Sequence, residues 1–106
     1  MNKKQSELPN FPLPDRTVVL TAINKSIPNN NFELFVFGSR SLIQTCKDYS
    51  DLDLVIRCDK PIPRQILFQI EEDLENSQLN YRVDLLDWHR ISDEFKNEIT
   101  SKLIKI

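Results

Sequence analysis

The sequence predicts a small α/β (α+β) protein in which short strands and helices alternate. Three observations lead to this prediction. The 106 residues are about one domain's length of chain. The spacing of apolar residues switches repeatedly between helical steps and strand alternation. The single glycine, Gly38, stands where average usage would give roughly seven, and it directly follows the most continuously apolar stretch.

Composition limits the classes of function. With 40% hydrophobic and 28% charged residues, neither a disordered chain nor a fibrous repeat is expected. A net charge of −2 argues against non-specific nucleic-acid binding, so no direct nucleic-acid partner is expected. We find neither a secretory leader nor an apolar run long enough to cross a bilayer. Two cysteines are too few for a disulfide framework, and a cytoplasmic protein with reduced thiols is expected.

The first part of the chain divides into an arm and a helix. Residues 1–14 contain three prolines without apolar periodicity, which predicts a flexible N-terminal arm. Residues 15–106 form the single predicted domain. Asp15 is the predicted N-cap of a first helix that ends before Pro28. The apolar stripe of this helix is Val19, Ala22 or Ile23, and Ile27.

Three strands and two further helices follow. Residues 34–37 are predicted as a central strand buried on both faces, and residues 39 to about 46 as a short helix. Residues 51–56 alternate as a second strand, and residues 81–87 form a third. The helix after Pro63 has the stripe Ile66, Ile70 and Leu74, and the last helix, capped by Ser92, has the stripe Phe95, Ile99 and Leu103.

A glycine and a serine lie at the first strand-to-helix turn. A residue without Cβ allows the backbone to approach a ligand closely, and a helix that begins there offers free N–H groups to an anion. Ser39 adds a hydroxyl donor and Arg40 a permanent cation. The Arg40 side chain therefore has two alternative binding partners, a triphosphate or a nearby carboxylate. Packing alone also produces such turns, so the dipeptide by itself is a weak signal.

Two carboxylates share one face of the second strand. Asp51 and Asp53 are two residues apart, so they project the same way about 7 Å apart. Like charges this close raise each other's pKa unless a cation lies between them, and Mg²⁺ prefers such oxygens. The alternative to a metal site is that Asp51 and Asp53 simply belong to a solvent-exposed face of the strand.

Asp84 brings a third carboxylate into the third strand. Flanked by Val83 and Leu85, it is expected to be partly buried and to need a partner. Arg82 is one possible partner. If the third strand pairs with the second, Asp84 instead joins Asp51 and Asp53 around two metal ions, an arrangement that suits nucleotidyl transfer. Asp84 is then the candidate base.

These motifs together resemble a known family. The segments GSR at 38–40, SDLDL at 50–54 and VDLLDW at 83–88 are similar to the minimal nucleotidyltransferases (MNT) of the DNA polymerase β superfamily. The resemblance runs from about Asp15 to Phe95. It implies a small mixed sheet with helices packed on one face. It also implies that Gly38, Ser39 and Arg40 bind the nucleotide, and that Asp51, Asp53 and Asp84 are both metal ligands and catalytic residues.

The resemblance further implies a biological role. Members of this family are antitoxins encoded beside a HEPN-domain ribonuclease toxin. We therefore expect a Mg²⁺-dependent enzyme, using two ions, that transfers AMP from ATP to a hydroxyl of the HEPN partner, with tyrosine as the expected acceptor, and releases pyrophosphate. A small-molecule acceptor is a weaker alternative, because the chain has no separate acceptor-binding domain.

One departure from the family pattern leaves a different class of function open. Relatives continue Gly-Ser-Arg-x-x-Gly, whereas the last of these positions is Ile43. Isoleucine does not readily adopt positive φ, so the turn is expected to differ locally. The alternative function is a catalytically weak or inactive MNT-fold module that neutralises its HEPN partner by binding alone.

Three residues near the third strand have simpler interpretations. Asp87 points away from Asp84 and is interpreted as structural. His89 is interpreted as a turn residue rather than a nucleotide contact, and Trp88 as a packing residue rather than a base-stacking one.

Overall fold

The computed structural model describes residues 8–44 and 46–106. Within these ranges the helices are α1 (Leu13–Ser26), α2 (Arg64–Glu75) and α3 (Asp93–Ile99), and the strands are β1 (Glu33–Phe37), β2 (Leu52–Arg57), β3 (Val83–Asp87) and β4 (Ile104–Lys105). Single 3₁₀ turns span Ser39–Ser41, Trp88–Arg90 and Thr100–Lys102. None of the described helices has the length and apolar character that crossing a bilayer requires.

The strands form one mixed sheet, as expected. Its order is β3-β2-β1-β4. β1 pairs antiparallel with β2 and with β4, whereas β2 and β3 are parallel. A parallel pair needs a crossover connection, and α2 provides it. The predicted fold class is therefore confirmed.

The core lies on one face of the sheet. Leu34, Leu54 and Ile56 point to this face and are packed with Ile23 of α1 and Ile70 of α2 in one buried cluster. Because side chains alternate along a strand, the neighbouring residues point to the opposite face. The prediction of helices on one face therefore holds for α1 and α2.

The opposite face is covered less completely. Phe95 of α3 meets Phe37 of β1 edge-to-face, with ring centroids 6.2 Å apart, so the third helix does not join the other two. Phe35 and Phe37 remain partly exposed, whereas Val36 is fully buried. β1 is interior in the sheet as predicted, but the prediction that it is buried on both faces is wrong, because α1 and α2 cover only one of them.

Two predicted helices are shorter than their apolar patterns suggest. The segment after Gly38 makes one 3₁₀ turn, and Leu42 is already extended. Here the Asn10 amide donates to the carbonyls of Leu42 and Gln44, which fixes a non-helical backbone. The last helix ends at Ile99. Residues 104–105 instead form β4, which the sequence did not predict, and pair with the otherwise free edge of β1.

The described part of the predicted arm is packed against the domain. Residues 1–7 lie outside the described residues, but Leu8 and Phe11 are buried in the core, and α1 already begins at Leu13. The predicted boundary at residue 14 is therefore wrong, because apolar side chains in this segment gain from burial. Pro12 occupies the N-cap position expected for Asp15.

Core packing by α2 can be tested with two substitutions on the same helix. Ile70 is fully buried, whereas Phe68 is 66% exposed. Ile70→Ala is expected to lower the free energy of unfolding by about 2–5 kcal/mol through lost burial and the resulting cavity. Phe68→Ala, the control, is expected to change it by less than about 0.5 kcal/mol. Urea unfolding followed by circular dichroism measures both, and equal effects would contradict this packing.

Candidate active site

Gly38 brings the backbone against a carboxylate. It follows β1 with φ 76° and ψ −161°, a conformation that is open essentially only to glycine. A Cβ placed on Gly38 would lie 3.3 Å from Cγ of Asp53 and would overlap with its Oδ2. The single glycine is therefore required both by backbone conformation and by the close approach of Asp53.

Ser39 begins the 3₁₀ turn and leaves its hydroxyl available. In the described part of the chain no residue forms a hydrogen bond with this side chain, whereas the Ser41 hydroxyl donates to the Gly38 carbonyl at 2.6 Å. The turn is only three residues long, so the helix N-terminus expected to attract a phosphate is not formed. Phosphate binding by Gly38 and Ser39 stays a prediction that depends on the close backbone and the hydroxyl.

Asp53 and Asp84 lie side by side on neighbouring strands. They are partners in the register of the parallel pair β2–β3, where adjacent strands are about 4.8 Å apart. Both alternate with core residues, Leu54 for Asp53 and Leu85 for Asp84, so both project from the face opposite the core. The structure therefore brings these two predicted site residues together.

Asp51 lies just before β2 and is exposed. It contributes to the same electrostatic environment, because the pKa of Asp53 is raised, first by burial and then by the negative charges of Asp84 and Asp51. Among the described residues, no lysine or arginine forms an ion pair with any of these three carboxylates. The site is thus an unneutralised negative centre.

The carboxylates suit a cation that a ligand helps to hold. Within residues 8–44 and 46–106, no group of three or more His, Cys, Asp or Glu side chains is arranged to hold a metal ion by itself. Joint metal binding by Asp51, Asp53 and Asp84 therefore depends on further ligands and stays a prediction. Mg²⁺, however, commonly uses one or two carboxylates and takes its other ligands from water and substrate phosphates. The adjacent Asp53 and Asp84 fit that donor set.

Arg40 does not pair with a carboxylate, and its contact with a triphosphate stays a prediction. Its side chain is buried, and its guanidinium donates to backbone carbonyls from two parts of the chain, Asn10 and the loop 47–50, instead of to a carboxylate. Nε donates to Ser50 at 2.8 Å, one terminal nitrogen to Asn10 at 3.1 Å, and the other to Asp48 at 2.8 Å and Lys47 at 3.5 Å. Arg40 thus fixes the loop that leads into Asp51 relative to the Gly38 turn.

Tyr81 extends this arrangement to the third strand. The Arg40 guanidinium carbon lies 3.6 Å from the centroid of the Tyr81 ring, and the Tyr81 hydroxyl donates to Asp15 at 2.5 Å. Burial and the bond to the Asp15 carboxylate raise the pKa of Tyr81. Sequence reasoning missed this contact, because a separation of 41 residues between Arg40 and Tyr81 carries no local pattern.

The remaining candidates have structural contacts. Asp87 is buried and accepts hydrogen bonds from the backbone N–H groups of Ile62 and His89. His89 Nε2 lies 2.7 Å from the Cys58 carbonyl oxygen. The centroid of the Trp88 ring lies 6.0 Å from the Arg57 guanidinium carbon and 5.2 Å from Lys96 Nζ. These contacts agree with the structural interpretations of all three residues.

Ile43 has no strained backbone. Among the described residues, only Asn29 and Asn30 combine a side chain with positive φ, so Ile43 does not reproduce the conformation of a glycine at this position. It is 77% exposed. Ile43 therefore projects into solvent from an unstrained backbone, and a local difference from the turn of relatives stays a prediction.

A glycine–serine turn beside paired aspartates on a small mixed sheet defines the nucleotidyltransferase class of fold and site. The sequence matches the family model "Polymerase beta, Nucleotidyltransferase" over residues 22–106. The chain therefore belongs to the polymerase beta nucleotidyltransferase family, and the prediction of an enzyme of this class is confirmed.

One relative carries a more specific name than the family. Over 89 residues the chain is 34% identical to the "Probable protein adenylyltransferase MntA" of Haemophilus influenzae, with 84% of this chain and 75% of the relative covered. This similarity agrees with the resemblance to minimal nucleotidyltransferases.

Solved structures share the fold. One, of a toxin–antitoxin with AMP-PNP, gives a TM-score of 0.69 at 18% identity and covers 86% of this chain and 71% of that one. Another is of a tri-AMPylated Shewanella oneidensis HEPN toxin in complex with an MNT antitoxin. It gives a TM-score of 0.61 at 19% identity, with 82% of this chain and 64% of that chain covered. At these identities the likeness establishes the fold alone.

The close approach of Gly38 to Asp53 predicts coupled effects on stability. Gly38→Ala is expected to lower the free energy of unfolding by about 1–3 kcal/mol, because alanine is strained at this φ and ψ and its Cβ would meet Asp53. Adding Asp53→Ala removes the second cost, so the two changes should couple by about 0.5–3 kcal/mol. Urea unfolding of the wild-type protein, the two single variants and the double variant measures this coupling. Asp51→Ala as the second change is the control, and equal coupling there would contradict the contact.

The raised pKa of Asp53 predicts a pH-dependent stability. Since this pKa is higher in the folded than in the unfolded chain, ionisation of Asp53 favours unfolding. That cost is absent below the ordinary Asp pKa of about 3.9 and grows as the pH rises through the folded-state pKa. Asp53→Asn should therefore raise the melting temperature at pH 7 and have little effect at pH 3.

The control for this pH dependence is Asp59→Asn, at an exposed position. It is expected to change the melting temperature little at either pH. Thermal unfolding followed by circular dichroism measures both variants. A gain for Asp53→Asn that is the same at pH 3 as at pH 7 would contradict the assigned cause.

Proposed function

We propose that the protein transfers AMP from ATP to a hydroxyl of a HEPN-domain partner and acts as the antitoxin of that pair. The observation that carries the proposal is the in-register pair Asp53–Asp84 beside the tight Gly38 turn. The similarity to an MntA-type adenylyltransferase and to a fold solved with AMP-PNP supports ATP as the donor.

The glycine–serine turn and the three aspartates have different proposed roles in the reaction. Gly38 and Ser39 would bind the triphosphate through the exposed backbone and the free hydroxyl. Asp51 and Asp53 would hold Mg²⁺, with Asp84 completing the site. When bound, Mg²⁺ supplies charge neutralisation for the phosphate oxygens during transfer. Positioning and charge, rather than covalent catalysis, would then account for most of the acceleration.

Asp84 would accept the proton of the acceptor hydroxyl. As the hydroxyl oxygen bonds to the α-phosphorus of ATP, the bond from that phosphorus to the bridging oxygen breaks, and pyrophosphate leaves with the electron pair. Asp84 lies at the sheet position next to Asp53. General base catalysis of this kind contributes roughly 10²–10⁴-fold.

The acceptor is proposed to be a tyrosine of the HEPN protein. The AMPylated HEPN toxin solved with an MNT antitoxin supports a protein acceptor of this class. We place the reaction in the cytoplasm, where ATP is available and the thiols of Cys46 and Cys58, both free in the structure, stay reduced.

The binding-only alternative makes a distinct prediction. The observation that favours it is Ile43, which stands where relatives carry a glycine and is 77% exposed. An inactive module would form a tight complex with the HEPN protein and leave it unlabelled in the presence of ATP and Mg²⁺.

The reaction can be tested with labelled ATP, Mg²⁺ and the HEPN-domain protein encoded beside this chain's gene. The wild-type protein is expected to label the HEPN protein. Asp84→Asn is expected to reduce the transfer rate by about 10²–10⁴-fold, and Asp53→Asn to abolish transfer with the fold intact. Asp59→Asn, at an exposed position away from the site, is the control and should keep the wild-type rate.

Two outcomes would contradict the proposal. Transfer by Asp53→Asn at the wild-type rate would exclude this site. A wild-type complex without label would support the binding-only alternative instead. Circular dichroism of each variant separates a loss of chemistry from a loss of folding.

A further inference from the structure

The segment that precedes α1, residues 8–12, reaches the candidate active site through one side chain. In this segment, which we call the N-terminal strap, Asn10 lies between Leu8 and Phe11, both buried in the core. The Phe11 N–H donates to the Leu8 carbonyl at 3.0 Å, and Nε of Arg16 donates to the Phe11 carbonyl at 2.7 Å. The backbone on both sides of Asn10 is therefore fixed to the domain.

The connecting loop, described at residues 42–44 and 46–50, joins the 3₁₀ turn after Gly38 to Asp51. These residues include no helix or strand, so their backbone carbonyls need partners other than those that regular structure supplies. The glycine–serine turn and Asp51 lie at the two ends of this loop. The conformation of the loop therefore sets the position of one relative to the other.

Two side chains supply the partners that the loop needs. Nδ2 of Asn10 donates to the Leu42 carbonyl at 2.9 Å and to the Gln44 carbonyl at 2.7 Å. Both partners are acceptors only, so the NH₂ end of the amide is the end that fits. Arg40 donates to the second half of the loop and also to the Asn10 carbonyl at 3.1 Å. The strap and both halves of the loop thus belong to one hydrogen-bond network.

We infer that Asn10 is a positioning residue for nucleotidyl transfer, which holds the connecting loop so that Asp51 is correctly placed relative to Ser39. The inference rests on the function proposed above. It adds a residue that precedes the family-model match at residues 22–106. Asn10 acts through the loop rather than on the substrate. A displacement of about 1 Å at a reacting group can cost roughly 10²-fold in rate, so the loop contacts bear directly on the chemistry.

Two substitutions that make the same chemical change test the inference. Asn10→Asp keeps the side-chain shape but places a carboxylate oxygen against two carbonyl oxygens, which removes both bonds to the loop. Nδ2 of Asn24 also donates to an oxygen, Oδ1 of Asn30, at 2.7 Å. That contact lies before β1, whereas the candidate site follows β1. Asn24→Asp is therefore the matched control for a lost bond and an added negative charge.

The first readout is transfer from labelled ATP to the HEPN-domain protein encoded beside this chain's gene. Asn10→Asp is expected to lower kcat by roughly 10–100-fold and to raise the half-saturating Mg²⁺ concentration by roughly tenfold, because Asp51 is a proposed metal ligand. A loss of folded protein alone would lower the rate in the same proportion at every Mg²⁺ concentration. Asn24→Asp should leave both quantities near their wild-type values.

The second readout is amide hydrogen exchange of the protein without ligands. Asn10→Asp is expected to speed exchange in the connecting loop by roughly tenfold, most clearly at the Leu42 N–H, which donates to the Ser39 carbonyl at 3.2 Å. Exchange in β2 should stay unchanged. Circular dichroism at the assay temperature verifies folding. If Asn10→Asp is unfolded there, Asn10→Ala and Asn24→Ala, which add no charge, replace the pair in both measurements.

The outcomes separate this inference from the proposed function. If the wild-type protein labels its partner and the Asn10 variant keeps the wild-type kcat and Mg²⁺ requirement, the positioning role is overturned while the transferase function stands. If the Asn10 and Asn24 variants lose activity equally, or the Mg²⁺ requirement does not change, Asn10 is a purely structural residue and the inference is wrong. If the wild-type protein transfers no AMP, the proposed function fails and the positioning role fails with it.

Discussion

The parallel pairing of β2 with β3 is the constraint on which the site depends. It places Asp53 next to Asp84 on strands that a helix must connect, because parallel neighbours cannot be joined by a tight turn. Leu54 and Leu85, which directly follow the two aspartates along their strands, hold this register by facing the core. A shift of one residue would turn the aspartates inward, so core packing and site geometry are set by the same alternation.

This pairing has an electrostatic cost within the fold. Two carboxylates in register repel, and the pKa of Asp53 is raised first by burial and then by this repulsion. The described residues supply no neutralising cation through an ion pair. Such a centre is unfavourable in the empty protein and favourable once a cation and a ligand share it. The local instability is therefore consistent with a site built for binding.

Arg40 shows how the irregular part of the site is fixed. The segment between Ser41 and Leu52 contains no described helix or strand of its own beyond the 3₁₀ turn. One buried guanidinium donates to the Asp48 and Ser50 carbonyls of this segment and to the Asn10 carbonyl, and its face rests on Tyr81. Its planar fork of donors can serve several carbonyls at once, which a lysine cannot. Arg40 thus connects the glycine turn, the Asp51 loop and the start of β3.

The sequence alone predicted the three helices and the strands β1, β2 and β3 in their order, and the apolar stripe of α2, because these depend on local spacing and on the alternation of apolar residues. It also singled out Gly38, Asp53 and Asp84. It did not determine β4, the early start of α1 or the bonds of Arg40. Those depend on which strand edge, cavity or carbonyl lies nearby after folding. Contacts over 30 or more residues, such as that of Arg40 with Asn10, have no periodic signal, and only the tertiary structure decides them.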